Sequence, residues 1–237
     1  MIEWLIALGI GLVITIIIYS LSFSVMVLII KRAKLESNVV LKNQWITSAV
    51  VSPIVLLLSL LAIFLLSSGS LQLWGFQIPD LSSLLILSSI GLVVALMIVG
   101  ASEWLSPTPE KMKPPSNLRG RVIFFVLIVV LTSISEELLF RGFLQNILDN
   151  ALLLSLNFDG VIVTAGAVVS AIIFGVIHIA PAKQMGSSVS VLTISAIVLG
   201  FVAGLSLTAS GSILLPIIVH IEFNLVGFIF GIWQKSG

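Results

Sequence analysis

The chain contains no cysteine. Disulfides, iron–sulfur clusters and thiol nucleophiles are therefore excluded, and cysteine usage carries no information about redox compartment. Charge is also scarce. Lys and Arg number 11 and Asp and Glu 10, together 9% of 237 residues with a net charge of +1, where a soluble domain carries about 25%. So few charges cannot cover a water-soluble fold of this size. The basic residues are scattered, so there is no nucleic-acid footprint and no nucleic-acid partner is expected. The shortage of charge does not signal disorder, because disordered chains lack the large apolar residues abundant here. Hydrophobic residues make up 59% of the chain. What remains is a polytopic membrane protein, an all-α transmembrane bundle whose immediate partner is membrane lipid.

Seven apolar runs are long enough to span, given ~20 residues for ~30 Å of hydrocarbon. They cover Ile2–Ile30, Ile46–Leu66, Leu81–Val99, Val122–Leu144, Val161–Ala180, Val189–Ala209 and Ile213–Trp233. The first reads as a span rather than a cleaved signal. It opens with Glu3 and no basic residue, and it outlasts the ~7–15 apolar residues of a signal core. Residues 145–160 mix Asp149, Asn150 and Asn157 with leucines. They extend the fourth helix, lie along the interface or hold an eighth helical element. The basic residues Lys31, Arg32, Lys34, Lys42, Lys111, Lys113, Arg119, Arg121, Lys183 and Lys235 all fall in connections of one parity, and 67–80, 145–160 and 210–212 hold none. The positive-inside rule then predicts a cell-membrane protein with its N-terminus outside and its C-terminus cytoplasmic. Residues 1–237 read as one membrane domain, with peripheral helices in 1–105 and a core in 118–235. Gly200-x-x-x-Gly204 and Gly227-x-x-x-Gly231 read as close-approach faces between helices. No internal repeat is visible, which argues against an inverted-repeat transporter.

A few charges sit where a bilayer should refuse them. Glu136, Glu137 and Arg141 lie in the fourth run, His178 near the end of the fifth, and His220, Glu222 and Asn224 in the seventh. An ionised group near mid-bilayer costs ~2.5–3.5 kcal/mol on insertion scales, so such groups pair, face a cavity or carry function. Glu137 and Arg141 share a helix face, while Glu136 points about 100° away. His220 with Asn224, and Phe174 with His178, are spaced likewise. Gly175 removes bulk beside His178, and Glu222 faces away from His220. Taken singly, these are also the marks of structural pairs and interhelical hydrogen bonds. Taken together, they place polar groups on three helices and almost none on the first three. That pattern predicts one active-site or transport cavity built by the C-terminal helices. By residue count His178 lies nearer the cytoplasmic end than the others. One site therefore needs a fifth helix that starts later, tilts or runs past Ala180, although Pro181 predicts a break there.

These residue types suit hydrolysis by activated water. Glu136 is the candidate base, with His178 orienting the water and passing its proton. His220 and the Asn224 amide can donate to an oxyanion. Two histidines and a glutamate could instead hold zinc, but His-Glu-x-x-His is absent and Asn224 is a poor zinc ligand. The expectation is a metal-free site needing no cofactor, with zinc as the competing assignment.

At these positions the chain resembles the CAAX prenyl endopeptidase family and its prokaryotic branch, the CPBP or Abi intramembrane proteases. The family pattern Glu-Glu-x-x-x-Arg, Phe-x-x-x-His, His-x-x-x-Asn reads here as Glu136-Glu137-Leu-Leu-Phe-Arg141, Phe174-Gly-Val-Ile-His178 and His220-Ile-Glu-Phe-Asn224, in order, over about residues 120–230. The resemblance implies a cavity open to the cytosol, with catalysis by Glu136, His178, His220 and Asn224 and support from Glu137, Arg141 and Phe174. It also implies a membrane-bound or lipidated peptide substrate, possible prenylation included. The family also contains bacteriocin-immunity and scaffold proteins, which form the non-enzymatic alternative. A proton-coupled transporter has only the intramembrane carboxylates in its favour.

Overall fold

Backbone that leaves water must satisfy its own hydrogen bonds, and a helix does so within one segment. The computed structural model describes residues 2–32, 44–109 and 113–233. Among them, seven helices or helix pairs are long and apolar enough to cross a membrane. These begin with α1 (Ile2–Arg32), α2 (Gln44–Leu66), α3 (Leu81–Leu105) and α4 (Leu118–Leu152). The fifth crossing joins α5 (Ala165–Ile177) to α6 (Ile179–Met185), and α7 (Val189–Ser210) and α8 (Leu214–Trp233) complete the bundle. The protein is a nearly all-α polytopic bundle. Lys34, Lys42, Lys111 and Lys235 lie outside the described residues.

The axis of the bundle is α4. Every residue from Glu137 to Gln145 is buried, whereas a helix at a bundle's edge buries one face. α1 and α2 pack on one side of α4, α5 and α8 on others, while α7 lies against α5 and α3 against α8. Leu57, Phe64 and Leu65 on α2 are about two-thirds exposed (66%, 66% and 67%). Such an apolar exterior belongs in lipid.

The connections gather at two ends. Gln77 Nε2 donates to the Gly211 carbonyl at 2.8 Å, Ile213 N to Gly75 O at 2.8 Å, and Asn146 Nδ2 to Trp74 O at 3.2 Å. These bonds bring the α2–α3 and α7–α8 connections together beside the last two turns of α4. At the other end Ser188 N meets Ser106 Oγ at 3.4 Å. Asp80 caps α3, accepting from Ser83 N and Ser82 Oγ, which hold its carboxyl well below the usual carboxylate range. This support for α3 is present above the ordinary aspartate pKa and is lost as pH falls through the depressed one.

The structure corrects two boundaries. Residues 146–152 continue α4, but 155–164 form a hairpin rather than an eighth helix. Strand β1 (Ser155–Phe158) pairs antiparallel with β2 (Val161–Thr164), Phe158 opposite Val161. Asp159 and Gly160 turn with φ of 48° and 92°, the left-handed pair that a two-residue hairpin requires. The fifth helix therefore starts at Ala165, not Val161. Asp149 fixes that start by accepting from Thr164 Oγ1 and Gly166 N, both at 3.0 Å. The span also runs past Ala180, with its break at His178 rather than at Pro181. Proline lacks an N–H and crowds the carbonyl four residues back, which is that of Ile177.

The first small-residue face does bring helices together. A Cβ on Gly200 would lie 2.7 Å from Arg141 Nη2 and 3.0 Å from the Ala171 backbone, and one on Gly204 would lie 3.1 Å from Ala167 Cβ. In the second, a Cβ on Gly227 would lie 4.0 Å from Val99 of α3, while one on Gly231 would lie 2.7 Å from Pro114 Cδ, so the close approach there is to the α3–α4 connection rather than to a helix. Gly175 gives room to Ile197 and the Thr193 carbonyl of α7, rather than to His178 as expected. Gly200→Ala is expected to lower stability by about 1–3 kcal/mol through overpacking. Thermal unfolding in detergent against Gly227→Ala, which should be near neutral, checks it.

Candidate active site

α4 is not a uniform helix. Phe125–Thr132 and Leu138–Gln145 are π-helical, flanking the α-helical turn Ser133–Glu137. Wider turns displace carbonyls from their usual partners, and π segments occur often at functional sites. Side chains take up the displaced groups. Ser170 Oγ donates to Phe140 O at 2.9 Å, and Asn146 Nδ2 lies 3.0 Å from both Arg141 O and Gly142 O.

The turn between these segments directs Glu136 and Glu137 to different atoms of one imidazole. Glu137 is fully buried, and its Oε1 accepts from Arg141 Nη1 at 3.1 Å and from His220 Nδ1 at 2.7 Å. Glu136 is 19% exposed, and its Oε2 lies 3.7 Å from His220 Nε2. That gap is too long for a direct hydrogen bond. The Glu137–Arg141 pairing expected from spacing is present, and it includes His220 as a third member.

Phe174 is the hub of the aromatic packing. Its ring meets Phe140 edge-on at 5.0 Å, His220 edge-on at 5.7 Å and His178 at 4.6 Å. The Arg141 guanidinium sits 4.7 Å from its centroid, within cation–π range. His178 Nδ1 is 2.7 Å from the Phe174 carbonyl. A carbonyl only accepts, so Nδ1 carries a proton, and the tautomer of the neutral ring that fits this contact has its lone pair on Nε2.

Asn224 Nδ2 donates to Ser133 Oγ at 2.9 Å, and Ser133 Oγ donates in turn to Val129 O at 2.7 Å. Ser135 Oγ donates to Thr132 O at 2.9 Å. Both serine hydroxyls near Glu136 thus serve the backbone. Glu222 faces away from His220, its carboxylate set against Gly91 of α3.

Glu136, Phe174, His178, His220 and Asn224 line one cavity of about 320 Å³, which continues past Ser102 and Ser195 to Ser106, Thr108 and Ser187. A second cavity of about 810 Å³ opens between α1, α2 and the α5–α6 joint. The two share Ser48, Thr132, Glu136 and His178. Glu137 and Arg141 line neither. Among the described residues, no group of three or more His, Asp or Glu is placed to hold a metal ion.

Sequence spacing missed Ser133 as the partner of Asn224. It also missed the π segments, which have no residue signature, and Tyr19 of α1, which lines the second cavity. Removing one partner of a buried pair strands the other charge, at about 3–5 kcal/mol. Glu137→Ala should therefore unfold at markedly lower temperature than Asn224→Ala, which loses one neutral bond worth about 1 kcal/mol. Calorimetry or a thermal shift in detergent measures the difference.

Residues 118–226 match the family model described as type II CAAX prenyl endopeptidase, Rce1-like. No curated protein and no solved structure matches the chain. The matched region contains all seven residues Glu136, Glu137, Arg141, Phe174, His178, His220 and Asn224. Over this region, just under half of its length, the chain is similar to the Rce1-like type II CAAX prenyl endopeptidases, and its seven long apolar helices are those of a multi-pass membrane protein.

Proposed function

We propose that the chain is an intramembrane endopeptidase of the glutamate type, hydrolysing a peptide bond of a membrane-bound or lipidated substrate. One observation carries the reading: Glu136, His178, His220 and Asn224 line a single cavity. In this mechanism a water held by the His178 Nε2 lone pair and the Glu136 carboxylate attacks the scissile carbonyl carbon. Its proton passes to Glu136. The carbonyl oxygen becomes an oxyanion and accepts from His220 and Asn224. His220 Nδ1 is taken by Glu137, so only Nε2 can serve, and it donates only when both ring nitrogens are protonated. The Asn224 amide has two N–H groups. Ser133 takes one, leaving one for the oxyanion. Collapse breaks the C–N bond, and the proton held by Glu136 goes to the leaving amine.

The chain's parts divide accordingly. Residues 118–235 carry the chemistry, 1–105 flank it, and the whole acts as one membrane domain. The basic connections lie in the cytoplasm with the C-terminus, and the N-terminus lies outside. The site's 320 Å³ cavity then leads toward the cytoplasmic end, where Ser106, Thr108 and Ser187 line it.

Purified protein and Glu136→Gln are to be compared on farnesylated and transmembrane peptides. The variant should fold as the parent does and lose about 10²–10⁴-fold in rate. Equal rates would sink the mechanism. Activity should also survive dialysis against a strong chelator. Loss that zinc restores would establish the zinc alternative instead.

A further inference from the structure

Tyr19 is the chain's one tyrosine, and it sits on α1, outside the matched region. Its ring lies 6.2 Å from Phe140, the residue before Arg141 in the Glu-Glu-x-x-x-Arg motif. Its hydroxyl is buried and has no hydrogen-bond partner among the described residues. A buried phenol O–H normally finds a partner, and one left without calls for an explanation. Tyr19 lines the same 810 Å³ cavity as Glu136 and His178. Half of the other lining residues are apolar, Ile16, Phe23, Val55, Ile173 and Val176 among them, and the rest are mostly short hydroxyl side chains such as Ser48 and Ser52. Ile16, Phe23 and Val176 are exposed on the lipid-facing surface, so the cavity borders the bilayer.

An extended peptide entering such a cavity brings backbone carbonyls that leave water and need donors. The apolar side chains offer none, and the Tyr19 phenol is a donor in that wall with no partner among the described residues. We infer that Tyr19 is a substrate-binding residue, its phenol O–H donating to a backbone carbonyl of the apolar substrate segment next to the scissile bond. The inference rests on the protease reading and deepens it, because α1 becomes part of the substrate site. A bond of this kind forms in the bound complex and persists through the reaction. Its loss therefore raises KM and leaves kcat alone.

The probe is a fluorescent peptide carrying an S-farnesyl cysteine followed by three apolar residues. Tyr19→Phe keeps the ring against Phe140 and removes only the hydroxyl, and its melting temperature is to be compared with the parent's. KM is expected to rise about tenfold, the worth of one net hydrogen bond, with kcat within about twofold. Anisotropy titration of the same peptide into Glu136→Gln, with and without Tyr19→Phe, should show the same loss of affinity without any turnover. Unchanged KM and affinity would overturn the proposal. So would a fall in kcat at constant KM, a loss of affinity matched by a lowered melting temperature, or failure of the probe to bind the parent protein. If Glu136→Gln cleaves as fast as the parent, the mechanism fails, while parent against Tyr19→Phe still decides the role of the phenol.

Discussion

One buried carboxylate oxygen holds the site together. Glu137 Oε1 accepts from Arg141 and from His220, and neither it nor Arg141 reaches solvent. An arginine and a glutamate in an apolar bundle are costly apart and tolerable together. His220 Nδ1 on the same oxygen joins α8 to α4 at that depth. The imidazole of His220 is turned so that Nδ1 faces the pair and Nε2 faces Glu136. Arg141 then lies across Phe174, whose ring and carbonyl set the position of His178. Two of the four proposed catalytic groups are thus oriented from a centre that touches no cavity.

The backbone is fitted to this arrangement. Two π segments bracket the glutamates, and Ser170 and Asn146 hold carbonyls of the second. Gly200 lets α7 close against Arg141 and α5. The break at His178 places an imidazole at a helix joint, where the chain turns beside both cavities. The late start of α5 at Ala165 lets that joint stand level with the glutamates.

Much of this was readable in the residues. Scarce charge and long apolar runs identified the bundle, because lipid leaves the backbone few choices. The spacings of Glu137 with Arg141 and of His220 with Asn224 placed each pair on one face. Their partners across helices were not readable. Ser133 meets Asn224 across 91 positions of chain, and no local spacing reports such a meeting. The hairpin was missed although Asp159-Gly160 marked its turn, since a short apolar run alone does not separate strand from helix. The π segments left no mark, because wider turns answer to packing around α4 rather than to composition. Tyr19 went unnoticed because a lone tyrosine in a lipid-facing helix resembles ordinary packing.

The length of α4 has a mechanical consequence. Its 35 residues extend about 50 Å at ~1.5 Å each, against ~30 Å of hydrocarbon. A helix of that length leans or projects, and its lean changes with bilayer thickness. Glu136 lies close to halfway along it, with Leu118 and Leu152 at the ends. A rod that rocks about its middle moves its tips and not its pivot. Any such lean carries the hairpin at one end and Arg119 and Arg121 at the other through the largest arc, and Glu136, near the midpoint, through the smallest.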